Sequence, residues 1–163
     1  MNKPEVLIIH HTASGGNNSQ YFAVNDYHKS QDFPQSSLGM YVGYHFFIEK
    51  NGRTFQARRK EDVGAHTIGW NDRSIGICLA GNFNYENPTA EQIKSLRKLI
   101  EKLDLPVDLH KNRQSERTCP GTNLTLDMIN GTDLVDMEKE EMIEHFINKY
   151  PKWAQFIRYI LSL

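Results

Sequence analysis

Apolar and polar positions alternate with two different periods along the chain, and this pattern predicts strands and helices in turn. Five segments are apolar and rich in β-branched or aromatic residues, which is typical of strands in a sheet. The dipeptide Asn51-Gly52 between two of them is a type I′ hairpin signal. The predicted strands are Val6 to Ile9, Tyr41 to Lys50, Arg53 to Ala57, Ser74 to Ala80 and Val107 to Leu109.

Two segments with helical periodicity lie between the strands. A helix that Ser19 or Asn18 can cap is predicted to run to about Ser30. Thr89 and Gln92 form a capping box at the start of a second helix, whose apolar side is made by Ile93, Leu96, Leu99, Ile100 and Leu103. We therefore expect an α/β (α+β) fold in which helices flank a central mixed β-sheet.

The last third of the chain changes character. Thr132 to Lys149 is acidic and helix-forming, and Pro151 can begin a final helix. Apolar residues recur in that helix at Trp153, Phe156, Ile157, Ile160 and Leu161. This amphipathic stripe either packs on the core or docks on a partner or a membrane surface, and its few cations favour packing. We expect a domain over residues 1–130 and a helical extension, residues 131–163, packed on it.

Composition narrows the functional classes. The chain has 163 residues, of which 39% are hydrophobic and 24% charged. Its formal net charge is −1, so it lacks the excess of positive charge that is typical of nucleic-acid-binding proteins. No apolar run is long enough for a membrane span, and the start does not resemble a signal peptide. These features predict a protein made in the cytoplasm, with Cys78 a core residue. A basic cluster, Arg53, Arg58, Arg59 and Lys60, is interpreted as a charged surface.

Three sites along the chain carry candidate metal ligands. The pair His10-His11 ends the first strand, His110 follows the last, and Cys119 precedes a Pro-Gly turn. Two imidazoles and one thiolate suit zinc and leave a fourth tetrahedral position for water, as in catalytic sites. Seven histidines and two cysteines also allow accidental triples, so the alternative is that these histidines are ordinary polar residues.

Four motifs follow one another in a familiar order. They are Gly43-Tyr44-His45-Phe46, Val63-Gly64-Ala65-His66, the segment from Ser74 to Phe83, and His110 with Cys119-Pro120-Gly121. Together with His10-His11 they make residues 5–125 resemble the zinc-dependent N-acetylmuramoyl-L-alanine amidases of type 2. That family includes phage lysozymes of the amidase kind and the peptidoglycan recognition proteins of animals.

The resemblance implies a specific chemistry. The family fold holds zinc in a groove on one face of a mixed sheet and cleaves the amide between N-acetylmuramic acid and L-alanine. Residue by residue, the family's zinc ligands correspond to His10, His110 and Cys119. The tyrosine that helps to position the zinc-bound water corresponds to Tyr44.

Two further residues have expected roles in this reaction. Arg117 lies two residues before Cys119, where phage members often have lysine, and can stabilise an oxyanion but cannot act as a general acid. The loop before Cys119 is one residue longer than usual, and a solvated arginine is the alternative. His66 can transfer a proton or contact substrate, or it makes a structural hydrogen bond. His11 and His45 are expected to face away from their neighbours and to pack.

The leading hypothesis is a zinc amidase, most like a phage endolysin, that acts on peptidoglycan in the cell wall after release from the cytoplasm. We expect bacterial peptidoglycan as partner, no nucleic acid and a monomer. One alternative is a non-catalytic peptidoglycan-binding module, although such relatives typically lose the cysteine that this chain keeps as Cys119. Another is a structural zinc with His11 or His66 as the fourth ligand.

Overall fold

Strands and helices alternate in the part of the chain that the computed structural model describes, which is residues 1–16, 19–131, 147–149 and 151–153. The chain divides into two compact units, residues 1–130 and 131–163. The elements of the first unit are β1 (Val6–His11), α1 (Tyr21–Ser30), β2 (Phe46–Ile48), β3 (Thr54–Gln56), β4 (Ser74–Leu79), α2 (Ala90–Leu103), β5 (Val107–Leu109), α3 (His110–Arg113) and α4 (Leu126–Ile129).

The strands form one mixed sheet in the order β3-β2-β4-β1-β5. β1 pairs in parallel with both β4 and β5, β2 pairs in parallel with β4, and the edge strand β3 is antiparallel to β2. Every residue of β1 and of β4 is buried, because helices cover both faces of the sheet. The predicted class, a central mixed sheet flanked by helices, is confirmed.

The two faces of β1 point into different cores. Leu7 and Ile9 pack with the apolar side of α2 in the larger core. The register of β1 sets His10 beside Cys78, which belongs to the second core together with Tyr21 of α1. Since neighbouring residues of a strand face opposite sides, His10 and His11 are separated by the sheet.

The β2–β3 hairpin differs from the prediction in length and turn type. Regular pairing covers only Phe46–Ile48 and Thr54–Gln56. Gly52 has a φ of +79°, but Asn51 does not have positive φ, so the turn is not type I′. The backbone N–H of Gly52 donates to the carbonyl of Glu49 (2.9 Å), and that of Glu49 to the carbonyl of Arg53 (2.9 Å), which makes a three-residue loop.

The two long helices begin in different ways. The capping box of α2 is present as predicted, because the side chain of Thr89 accepts from the N–H of Gln92 and that of Gln92 accepts from the N–H of Thr89. The cap position of α1 is Gln20, whose side chain makes no capping bond, so the predicted cap at Ser19 is wrong, and Asn18 lies outside the described residues. A carboxylate from the end of β2, that of Glu49, takes its place.

Part of the second unit is described. Residues 147–149 are helical, and Pro151–Trp153 form one 3₁₀ turn. The rest of the predicted helix over Thr132–Lys149 lies outside the described residues, as do the side chain of Trp153 and Phe156, Ile157, Ile160 and Leu161. Among the described residues, no helix combines the length and apolar character needed to cross a bilayer.

Candidate metal centre

The sheet brings His10, His110 and Cys119 to one point. His10 is the penultimate residue of β1, and His110 directly follows β5, which pairs with β1 in a register that joins Ile9 to Leu109. The two imidazole rings are therefore neighbours, with centroids 4.4 Å apart. One ligand atom from each of the three residues lies within 4.8 Å of the others. In the part of the chain that the structure describes, these three residues are the group of histidine, cysteine or acidic side chains that could hold a metal ion.

Backbone contacts hold Cys119 against the end of β1. The N–H of Lys111 donates to the Cys119 carbonyl (2.8 Å), which closes the loop after α3. The N–H of His11 donates to the Cys119 sulfur at 3.4 Å. Gly121, at φ +97°, packs so tightly that an added Cβ would lie 2.5 Å from the Phe83 carbonyl carbon, which fits the predicted Pro-Gly turn.

The ring of His110 has one nitrogen without a partner. Its Nε2 lies 2.7 Å from Oε1 of Gln114, and because this oxygen only accepts, Nε2 carries the proton. Nδ1 is buried and has no hydrogen-bond partner. A buried lone pair next to a second imidazole and a thiol is the feature expected of a metal ligand, so the donor set fits a metal ion.

Burial sets the protonation of all three residues. It lowers the pKa of His10 well below its ordinary value, with the neighbouring His66 and His110 adding to the effect, and it also lowers the pKa of His110. Both imidazoles are therefore neutral at neutral pH and can donate a lone pair. Burial raises the pKa of the Cys119 thiol to about 11, against the opposing effect of the His11 N–H. A bound cation would displace that proton.

A groove of about 390 Å³ opens beside the cluster. Four of the predicted site residues line it, namely Tyr44, His66, His110 and Arg117. Phe33 and the exposed Ile68 add apolar surface to its walls. One candidate ligand, His110, and the candidate catalytic groups thus share one concave site.

Tyr44 lies two residues before the start of β2 and faces His10, with ring centroids 5.0 Å apart. Burial, with smaller contributions from the thiols of Cys78 and Cys119, raises the pKa of Tyr44 well above its ordinary value. The phenol is therefore a neutral hydrogen-bond donor at neutral pH.

Arg117 is exposed at the rim of the groove. Its charge contributes to the lowered pKa of His110 and opposes the rise in the pKa of Cys119. A cation at this rim is consistent with the predicted electrostatic role, which stays a prediction.

His11 and His66 do not join the three-residue group. Nδ1 of His11 accepts from the N–H of Phe83 (3.1 Å) on the other face of the sheet. Nδ1 of His66 lies 3.1 Å from Nε2 of His10, on the side of that ring turned away from Cys119. Neither residue is placed as the fourth ligand of a structural zinc.

The structure adds His28 to the site, which sequence reasoning left without a role. Its Nδ1 accepts from the N–H of Gly43 (3.0 Å), and burial lowers the pKa of the ring to about 4. The neutral ring therefore carries its proton on Nε2, and its side chain lines the groove beside Phe33 and Tyr44. Its position on the same side of α1 as buried Tyr21 was the available signal.

Arg58 is a second difference from the sequence interpretation. It is 2% exposed instead of lying on a charged surface. Its guanidinium donates to the carbonyls of Pro34 (2.6 Å), Val42 (2.8 Å) and Val63 (3.1 Å). These three segments lead to Phe33, Tyr44 and His66, so this buried cation ties the walls of the groove together.

Comparisons with known proteins agree on one family. The family described as N-acetylmuramoyl-L-alanine amidase matches residues 1–122. The chain is 32% identical to peptidoglycan-recognition protein SC2 of Drosophila melanogaster over 125 residues, which are 72% of this chain and 68% of that protein. It is 30% identical to an endolysin of Klebsiella phage KP32 over 110 residues, 62% of this chain and 69% of the endolysin. The structure of N-acetylmuramoyl-L-alanine amidase LysC from Clostridium intestinale URNW superposes with a TM-score of 0.68 at 32% identity, covering 80% of this chain and 85% of LysC.

Proposed function

The chain belongs to the N-acetylmuramoyl-L-alanine amidase family, and from that premise we propose that it is a zinc hydrolase of bacterial peptidoglycan. It cleaves the amide between N-acetylmuramic acid and the L-alanine of the peptide stem. The observation that carries the proposal is the buried, unpartnered Nδ1 of His110 close to His10 and Cys119, beside a groove.

Zinc is the metal that this donor set suits. Nδ1 of His10, Nδ1 of His110 and Sγ of Cys119 would hold it, and two neutral imidazoles with one thiolate are typical zinc ligands. When bound, zinc supplies an acidified water and a Lewis acid for amide hydrolysis.

The chain's own groups supply the remaining needs of the reaction. The neutral hydroxyl of Tyr44 donates a hydrogen bond to the oxyanion that develops on the scissile carbonyl. Arg117 adds a positive charge at the same rim, which also attracts the carboxylates of peptide stems. The donor on Nε2 of His28 and the apolar surface of Phe33 orient the stem in the groove.

An endolysin, which degrades the cell wall during lysis, is the biological role that we propose. The similarity to the endolysin of Klebsiella phage KP32 supports it. The alternative is a peptidoglycan-binding module without catalysis, which the similarity to peptidoglycan-recognition protein SC2 keeps in consideration. The retained Cys119 favours the enzyme, since a binding module does not need a complete donor set.

Mass spectrometry of peptidoglycan digests tests the proposal. The purified protein is incubated with peptidoglycan alone, with a zinc chelator, and with chelator followed by excess zinc. We expect free stem peptides that begin with L-alanine, their loss on chelation and their return with zinc. A Cys119→Ala variant serves as the inactive control. Intact peptidoglycan that retains the protein would support the binding module instead.

A further inference from the structure

The ring of His66 stands directly behind His10. Nδ1 of His66 lies 3.1 Å from Nε2 of His10, whereas Nδ1 of His10 faces the sulfur of Cys119 at 3.7 Å. We propose that His66 is a positioning residue that fixes the tautomer and orientation of His10, so that Nδ1 of His10 is presented to the metal. This inference rests on the proposed zinc site and assigns His66 a different task from proton transfer.

Metal binding by Nδ1 of His10 would fix the direction of the hydrogen bonds around His66. A neutral His10 that binds metal through Nδ1 carries its proton on Nε2, and this N–H needs an acceptor. Nδ1 of His66 is that acceptor, so His66 carries its own proton on Nε2. That nitrogen lies 3.5 Å from the Ser74 hydroxyl oxygen, which can accept because the hydroxyl donates to the Trp70 carbonyl (2.6 Å).

Thr67 supports the same arrangement. Its hydroxyl oxygen lies 3.0 Å from Nδ1 of His66 and 3.3 Å from Nε2 of His10. The backbone N–H groups of His66 and Thr67 both donate to Oδ1 of Asn71, at 2.8 and 2.9 Å. The segment that carries His66 is therefore fixed independently of the imidazole.

The His66 ring packs directly against the backbone of two glycines. A Cβ on Gly76 would lie 2.6 Å from Cδ2 of His66, and a Cβ on Gly64 would lie 2.5 Å from the same atom. Neither glycine has a positive φ, so the backbone conformation does not require glycine there. The glycines are needed because the ring occupies the space of their side chains.

The same contacts argue against proton transfer by His66. A group that gives a proton to the leaving amine needs a nitrogen directed at the substrate. Nδ1 of His66 is directed at His10 and Nε2 at Ser74, so both nitrogens are engaged within the protein.

Zinc affinity separates the two roles. Competition with a chromogenic chelator measures the dissociation constant of zinc for the wild type and for His66→Ala, with folding checked by circular dichroism. Loss of an outer partner of a metal-binding histidine typically weakens binding 10–100-fold, and we expect a loss in that range. A proton-transfer residue would leave zinc affinity unchanged and reduce only kcat, which would overturn the inference.

Gly76→Ala provides an independent variant that leaves the histidine in place. Its methyl group displaces the His66 ring, so we expect weaker zinc binding in this variant as well. In the His66→Ala background the methyl group of Gly76→Ala fills the space that the imidazole has vacated. Gly76→Ala should therefore cause no further loss of zinc affinity in that background. Additive losses in this double-mutant cycle would contradict the inference. Gly15→Ala is the matched control, because an added Cβ there meets no atom within 4 Å.

The tautomer can also be read without any metal. Long-range ¹H–¹⁵N correlation spectra of the metal-free protein should show His10 protonated on Nε2 in the wild type. His66→Asn, whose side-chain oxygen can accept the same hydrogen bond, should retain this tautomer, and His66→Ala should give a mixture. A wild type that binds no zinc but shows this pattern would refute the proposed function and leave the positioning role in place. A mixed tautomer in the wild type would refute the positioning role.

Discussion

Tyr44 contributes a neutral hydroxyl, and its ring faces the candidate ligand His10. In Tyr44→Phe we expect zinc content to stay at the wild-type level and kcat on peptidoglycan to fall about 10²–10³-fold, because an oxyanion loses one donor. KM should change little, since the ring remains. Turnover close to that of the wild type would remove Tyr44 from the mechanism.

His45 links stability to pH through a fully buried ring. Its Nδ1 accepts from the N–H of Gly76 (3.0 Å), which requires a neutral ring, and its Nε2–H donates to the Asp62 carbonyl (2.9 Å). Burial lowers the pKa of His45 to about 4. The unfolded chain, with a pKa near 6.5, therefore binds a proton between these values that the folded chain does not.

The sign of the effect follows directly. Stability is full above about pH 6.5 and falls as the pH drops toward 4, with a slope from His45 of about 1.4 kcal/mol per pH unit. Urea unfolding of the metal-free protein between pH 4.5 and 7.5 measures this slope. His45→Gln should flatten it by about that amount, and an unchanged slope in the variant would contradict the assignment.

At the scale of single residues, the sequence identified the chemical groups of the site but not the environment that surrounds each side chain. The pairing of His10 with His110 follows from two strand ends, and the structure brings both together with Cys119 as the motifs indicated. Arg58 was interpreted incorrectly and His28 was given no role, because their environment comes from segments distant in sequence. The guanidinium of Arg58 is satisfied by carbonyls from three loops, which no local pattern encodes.

Among the elements, α1 depends on a cap from another strand. The carboxylate of Glu49 accepts from the backbone N–H groups of Gln20 and Tyr21 (2.8 Å each) and from the hydroxyl of Ser19 (2.7 Å). Glu49 is 5% exposed, and its negative charge lies at the positive end of the helix. Since α1 carries His28, this cap also secures one wall of the groove.

Replacing that cap should cost more than an ordinary helix cap. We expect Glu49→Ala to lower the free energy of unfolding by about 3 kcal/mol and Glu49→Gln by about 1–2 kcal/mol, because charged hydrogen bonds to buried donors are lost or weakened. Urea denaturation measures both. Glu91→Gln in the exposed first turn of α2 is the matched control, with a change within about 0.5 kcal/mol. Equal losses of unfolding free energy in Glu49→Gln and Glu91→Gln would contradict the assignment of Glu49 as the cap of α1.

Elements whose determinants are local were predicted well. α2 has its capping box and its apolar stripe within its own sequence, and β1 and β4 are continuous apolar runs. The start of α1 and the turn after β2 were predicted incorrectly. Both depend on Glu49, which caps the helix with its side chain and closes the hairpin loop with its backbone. A prediction made from either segment alone leaves out the contact that the other segment provides.

For the whole molecule, the parallel pairing of β1 with β4 and β5 is what assembles the site. Parallel strands end at the same edge of the sheet, so His10 and His110 meet although a hundred residues separate them. The motif order along the chain indicated this assembly through resemblance to the family. The strand order itself follows from contacts between distant segments, which periodicity does not reveal.

Metal binding should therefore stabilise the first unit as a whole. His10 and Cys119 are 109 positions apart, and a metal that binds only the folded arrangement shifts the unfolding equilibrium by mass action. At a free zinc concentration about 1,000 times the dissociation constant, the gain is about 4 kcal/mol, or roughly 10 °C in the unfolding midpoint. Thermal denaturation followed by circular dichroism, with chelator and with graded zinc, measures this shift.

Cys119→Ser should unfold at a midpoint that no longer depends on zinc, because the hydroxyl does not replace the thiolate as a ligand. A wild-type midpoint that is the same with chelator and with zinc would mean that the three side chains do not act as one metal site.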